Sequence, residues 1–179
     1  MSRTKRFRSA AATMAVVLLL AAWPVRAGEL TGWHYLEQTR IAWRPYGEAA
    51  FAEARRIGKP LFVLVFADWC EWCRKYEVET LETDAIRERL ERDYIPVAVD
   101  HTTQRSLAKQ LGAKLVPTTL LLTPEGEKLL RFYGVQPAAA LADTLDRANV
   151  LWKRGEIPQP DFGDIETCCP LEDATGDKR

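Results

Sequence analysis

Cys70 and Cys73, three positions apart, close the run Leu61-Phe62-Val63-Leu64-Val65-Phe66-Ala67-Asp68-Trp69-Cys70-Glu71-Trp72-Cys73. Only a thiolate attacks a disulfide, so the attacking cysteine needs a lowered pKa and some access. A helix start supplies both, because unpaired backbone N–H groups and the positive end of the helix dipole favour the anion. Cys70 is expected to hold that place and act as the nucleophile. Cys73, one turn along, is then the resolving cysteine that attacks the mixed disulfide and releases the reduced partner. An inert disulfide and half of a zinc site are the other uses of such a pair. Zinc asks for four N or S ligands, and past residue 27 the chain adds only His34, His101 and the distant Cys168-Cys169 pair.

The neighbours colour that chemistry. Glu71 puts a negative charge beside the Cys70 thiolate and disfavours the reduced, ionised form, which tilts the site toward a reductant. The tilt is modest, since an exposed carboxylate is screened. Trp69 and Trp72 flank the thiols and offer apolar contact to a peptide, whereas Trp33 and Trp43 read as packing residues.

The elements that must position the pair follow from the patterning. Leu61 to Phe66 is short and wholly apolar, as expected of a central strand covered on both faces. Before it, Gly28 to Arg44 reads as an extended arm or short strand. Pro45 suits a first helical position, with Ala50, Phe51, Ala54 and Ile57 inward and Gly58 as the stop. After it, a helix is expected from Cys70 to about Leu81, then a second helical piece capped at Thr83-Asp84 with Ile86 and Leu90 inward. Tyr94 to Val99 reads as a strand. Thr102 or Thr103 is expected to cap a helix ending at Gly112, with Leu107, Ala108 and Leu111 inward. Val116 to Leu122 and Lys128 to Tyr133 form a hairpin about Thr123-Pro124-Glu125-Gly126, and Pro137 to about Trp152 closes as an amphipathic helix. The fold class is α/β, a mixed central sheet with helices on both faces.

The chain ends set the compartment. Arg3, Lys5, Arg6 and Arg8, an apolar Ala10 to Ala22 and small residues at Val25-Arg26-Ala27 have the layout of a secretory signal peptide over 1–27. An uncleaved anchor is the alternative, but Pro24 and Arg26 interrupt a run already shorter than a span. The protein is therefore expected to be periplasmic or otherwise exported, with no membrane anchor after cleavage. Of 25 basic and 25 acidic residues, cleavage removes five basic ones, leaving 20 against 25. That mildly acidic balance gives no support to nucleic-acid binding. The expected divisions are the signal peptide 1–27, an N-terminal arm 28–44, a domain 45–154 and an extended tail 155–179 rich in Pro, Gly and acids.

Trp69-Cys70-Glu71-Trp72-Cys73 after a central strand, with Val116-Pro117-Thr118 opening a later one, resembles the thioredoxin superfamily over roughly Pro45 to Trp152. The wording Phe66-Ala67-Asp68-Trp69-Cys70 is similar to the C-terminal periplasmic domain of bacterial thiol:disulfide interchange proteins. Tyr46-Gly47-Glu48-Ala49-Ala50-Phe51 with Gly58-Lys59-Pro60 resembles related exported thioredoxin-like domains. The resemblance implies a thioredoxin fold and thiol:disulfide oxidoreductase activity. It makes Pro117 the family's cis-proline, whose missing N–H leaves the Val116 backbone free to pair with an extended substrate. An ordinary trans proline at a strand start is the alternative. One departure stands out. The buried aspartate that commonly lies six residues before the nucleophile is Leu64 here, so resolution is expected to be slow or to use water or another acid, Asp68 or Glu71. Asp68 also reads as a plain solvated loop charge.

Cys168-Cys169 lies outside that resemblance. A second redox pair, soft-metal capture and a tail with casually paired thiols all remain open for it. The expectation as a whole is an exported reductant of protein disulfides, recharged by an upstream thiol donor for which a membrane interchange protein is a candidate. No cofactor is expected, since no Gly-rich nucleotide loop appears. The rival is a metal-binding or copper-delivery module using Cys70, Cys73 and the C-terminal pair.

Overall fold

The computed structural model describes residues 39–156. The signal segment, Trp33, most of the arm and the Cys168-Cys169 tail lie outside the described residues. Within them, five strands form one mixed sheet in the order β1-β3-β2-β4-β5. β2 (Leu61–Phe66) is its centre, parallel to β3 (Ile95–Asp100) and antiparallel to β4 (Thr118–Leu122). Every residue of β2 is buried. Successive side chains of a strand point to opposite faces, so both faces of the sheet are covered. β5 (Lys128–Tyr133) continues from β4 as an antiparallel hairpin. The helices are α1 (Glu48–Ile57), α2 (Glu71–Tyr76), α3 (Asp84–Asp93), α4 (Arg105–Gln110) and α5 (Ala138–Lys153).

Pro45 is not a helical residue. With Arg44 it forms β1, which pairs in parallel with Val97 and Ala98 at the sheet edge, where a missing N–H is tolerated. The last residue of the expected arm is thus part of the sheet, and Trp43 packs under it against Phe62 with ring centroids 6.2 Å apart. α1 starts three residues later and ends at Gly58, whose φ of 65° is the left-handed conformation glycine adopts at little cost. Ala50 and Ala54 are buried as expected, but Ile57, at the helix end, is exposed.

The helix expected from Cys70 to Leu81 changes hydrogen-bond register half-way. α2 gives way to a π-helical turn, Glu77–Leu81, closed by the Glu82 N–H donating to the Glu77 carbonyl at 2.9 Å. Glu77, Thr80 and Leu81, at i, i+3 and i+4, are buried together. Thr80 then donates to the Gln136 carbonyl at 2.7 Å, tying the turn to the segment that leads into α5.

Two threonine caps are also redrawn. Thr83 stands at the start of α3, but its hydroxyl donates back to the Thr80 carbonyl at 2.6 Å. Thr102 and Thr103 do not begin α4; their N–H groups donate to the Asp100 carboxylate at 2.8 and 3.3 Å in a side-chain-closed turn, and the helix starts at Arg105. Such Asp-centred turns satisfy the backbone without a helix.

Candidate active site

The central strand ends at the upper edge of the sheet, and Ala67 to Cys70 make a turn in which the Cys70 N–H donates to the Ala67 carbonyl at 3.0 Å. Cys70 is the residue that caps α2. Its sulfur accepts from the Cys73 N–H at 3.1 Å, and its carbonyl accepts from Cys73 and Arg74 at 3.0 and 3.2 Å. This is the placement that favours a thiolate once the pair is reduced, because a first-turn N–H donates to the sulfur at the positive end of the helix. Cys70 and Cys73 are joined as a disulfide, with Cα atoms 5.2 Å apart.

Across the sheet edge, the Cys70 sulfur lies 3.6 Å from the Val116 carbonyl oxygen. The Val116–Pro117 peptide is cis. Val116 is fully buried beside the disulfide. Trp69 and Trp72 are 52% and 43% exposed on either side of a sulfur pair that is nearly enclosed. The Lys75 ammonium sits 5.2 Å from the Trp72 ring centroid. Trp72 and Lys75 border a shallow depression of about 530 Å³ along the outer side of α2, lined also by Glu71, Arg74, Val78 and Glu79.

Beneath the pair, the strand position expected to carry an acid is apolar. Leu64 is buried, facing Ala98 on one side and Thr119 on the other. Glu71 projects into solvent, whereas Glu77, one turn beyond Cys73, is buried. The Glu77 N–H donates to the Cys73 carbonyl, and its Oε1 meets no hydrogen-bond donor among the described residues. Burial pushes its pKa up to about 7, with Glu82 adding to the rise.

A family model for the thioredoxin-like domain matches residues 47–149, more than half of the chain. The chain belongs to the thioredoxin-like family. Thiol:disulfide interchange protein DsbD 1 of Pseudomonas aeruginosa is 33% identical over 106 residues, which cover 56% of this chain and 18% of that protein. Spermatogenesis-associated protein 20 of Homo sapiens is 33% identical over 69 residues, covering 38% of this chain and 9% of that protein. The chain thus spans less than a fifth of the length of either relative. A thioredoxin from Thermus thermophilus shares the fold, with a TM-score of 0.58 and 24% identity over 65% of this chain and 93% of that one. The joined CxxC pair in such a domain is of thiol:disulfide oxidoreductase type.

Within this thioredoxin-like domain Cys70, Cys73, Trp69, Trp72, Val116 and Pro117 come together around one edge of the sheet. Asp68 sits in the turn just before them and is partly buried. Cys168 and Cys169, on which the copper alternative leans, lie outside the described residues. Among the described residues no group of three or more His, Cys, Asp or Glu is arranged to hold a metal. Glu77 is the residue that sequence reasoning missed. Its signal was positional: an acid four residues after Cys73, between inward-facing Tyr76 and Thr80, is on the buried side of a helix.

Proposed function

We propose that this chain is an exported thiol:disulfide oxidoreductase that reduces disulfides in other proteins. The observation that carries the reading is the Cys70–Cys73 disulfide at the start of α2, beside the Val116 carbonyl and between two exposed tryptophans. In the reduced protein the Cys70 thiolate attacks a substrate disulfide. A bond forms between Cys70 and one substrate sulfur, and the other leaves as a thiolate that takes up a proton. Cys73 then gives up its proton, bonds to the Cys70 sulfur and expels the second substrate thiolate. Two electrons have passed to the substrate, and an upstream dithiol must return them. The Val116 backbone and the tryptophans hold the partner's extended chain over the sulfur pair.

Charge favours the reductant direction. Glu71 outside and Glu77 inside both disfavour negative charge on the cysteines, and a thiolate that is poorly stabilised passes its electrons on readily. The signal-like segment 1–27, and the printed name of the Pseudomonas relative as a thiol:disulfide interchange protein, support export and a protein partner.

The test is a trap. Cys73→Ser in the producing cell should accumulate mixed disulfides through Cys70, seen as high-mass adducts that vanish on reduction and in Cys70→Ala. If Cys73→Ser collects no partner, and the wild-type protein reduces no model disulfide such as that of insulin, the reading is wrong.

A further inference from the structure

Two buried hydroxyls stand where the sheet lacks its acid. Thr119 is the direct cross-strand partner of Leu64 and therefore shares its face of the sheet. Its side chain is fully buried, as is that of Tyr76. The Thr119 and Tyr76 hydroxyl oxygens lie 3.5 Å apart, longer than an ordinary O–H···O bond. Either can donate to the other, and at that distance neither is held firmly. A buried hydroxyl so weakly bonded gains by turning its proton to a stronger, charged acceptor.

The helix points to that acceptor. Tyr76 lies three residues after Cys73 on α2, and both are buried, so the two project from one side of the helix toward the same strip of sheet. In the disulfide form the Cys73 sulfur is bonded and uncharged. During resolution it must become a thiolate in surroundings where Leu64 offers nothing polar. We propose that the Tyr76 hydroxyl, seated on Thr119, is a positioning residue that stabilises the Cys73 thiolate by donating a hydrogen bond, directly or through one water. This rests on the thiol-exchange reading above and adds to it what replaces the missing acid.

The division of labour follows from the chemistry. Burial holds the Tyr76 phenol above its ordinary pKa, so it stays protonated and can donate, but it cannot take a proton. The Cys73 proton passes instead to water or to the Glu77 carboxylate on the next turn position. The Cys73 sulfur then forms its bond to Cys70, the bond from Cys70 to the substrate breaks, and the electron pair leaves on the substrate sulfur. Tyr76 keeps its proton throughout.

The experiment measures Cys73 alone. In the full chain carrying Cys70→Ala, iodoacetamide labelling as a function of pH, read peptide by peptide in a mass spectrometer, separates Cys73 from Cys168 and Cys169. Tyr76→Phe, which removes one oxygen, should lower the Cys73 labelling rate at pH 7 by roughly 3- to 10-fold and move its midpoint to higher pH, the size of one hydrogen bond. Thr119→Val should act in the same direction, Thr119→Ser should restore the parent profile, and Tyr76→Phe with Thr119→Val should do no more than Tyr76→Phe alone. Profiles that stay unchanged, or move to lower pH, in Tyr76→Phe and Thr119→Val overturn the inference. Should Tyr76→Phe not fold, the Thr119→Val and Thr119→Ser pair decides by itself. The labelling needs no substrate, so a wild-type protein without exchange activity would sink the functional reading and leave this result standing by its own measurement.

Discussion

At the scale of single residues, the strand position before Cys70 is apolar while the helix that follows Cys73 carries a buried acid. Leu64 makes the strand position inert, and Glu77 puts a carboxyl on the buried side of the turn that follows Cys73. Because burial, helped by Glu82, raises the Glu77 pKa to about 7, the folded protein binds this proton more tightly than the unfolded chain does. The stabilisation is complete below the unfolded value, near 4.5, and is lost as pH rises through about 7. Glu77→Gln should therefore cost little at pH 4 and be more stable than wild type at pH 8, by on the order of 2 kcal/mol in urea unfolding. In the same variant the step that closes Cys70–Cys73 should lose any inflection near pH 7, measured by stopped-flow exchange with a small disulfide.

At the scale of elements, β2 does two jobs. Its six buried side chains make it the spine of the sheet, and its end delivers the turn that sets Cys70 on α2. Phe62 is fully buried under Trp43, so Phe62→Ala should cost about 3–5 kcal/mol of unfolding free energy, measured by urea titration. The π-helical turn is the second element with a consequence. Glu77, Thr80 and Leu81, at i, i+3 and i+4, share its buried side, and Thr80 reaches the Gln136 carbonyl. Single π turns inside helices are often kept at functional sites.

At the scale of the whole molecule, redox state and folding are linked, because whichever form is more stable shifts the dithiol–disulfide equilibrium. A reductant is a protein whose disulfide form is the better folded one. The oxidised protein should consequently unfold at higher urea than the reduced protein, with about 1.4 kcal/mol of difference for each 30 mV by which its potential lies below that of an unconstrained dithiol. A reduced form that is the more stable of the two would mark an oxidant instead. The helices that must stay in place during the cycle are braced away from the thiols, by Arg89 and Asp146 between α3 and α5 at 2.9 Å and by the buried Tyr94 hydroxyl on the Leu145 carbonyl at 2.6 Å.

The sequence by itself determined the order of elements from α1 to α5 and the place of the sulfur pair, since those signals are local: an apolar run of strand length, glycine stops at Gly58 and Gly112, turn chemistry at Thr123 to Gly126, and two cysteines one helical turn apart. Caps were less legible, because Thr102 and Thr103 have the right chemistry and only the reach of Asp100 shows that a turn comes first. What the tertiary structure decided is what depends on partners far along the chain. Pro45 is a strand residue because Ala98 lies beside it, and Thr119 meets Tyr76 across 43 positions because β4 pairs with β2 beneath α2. Glu77 had only a positional signal, its helical spacing from Cys73, Tyr76 and Thr80, while its charge argued for solvent. What buries it is the packing around that turn, a property of the assembled fold.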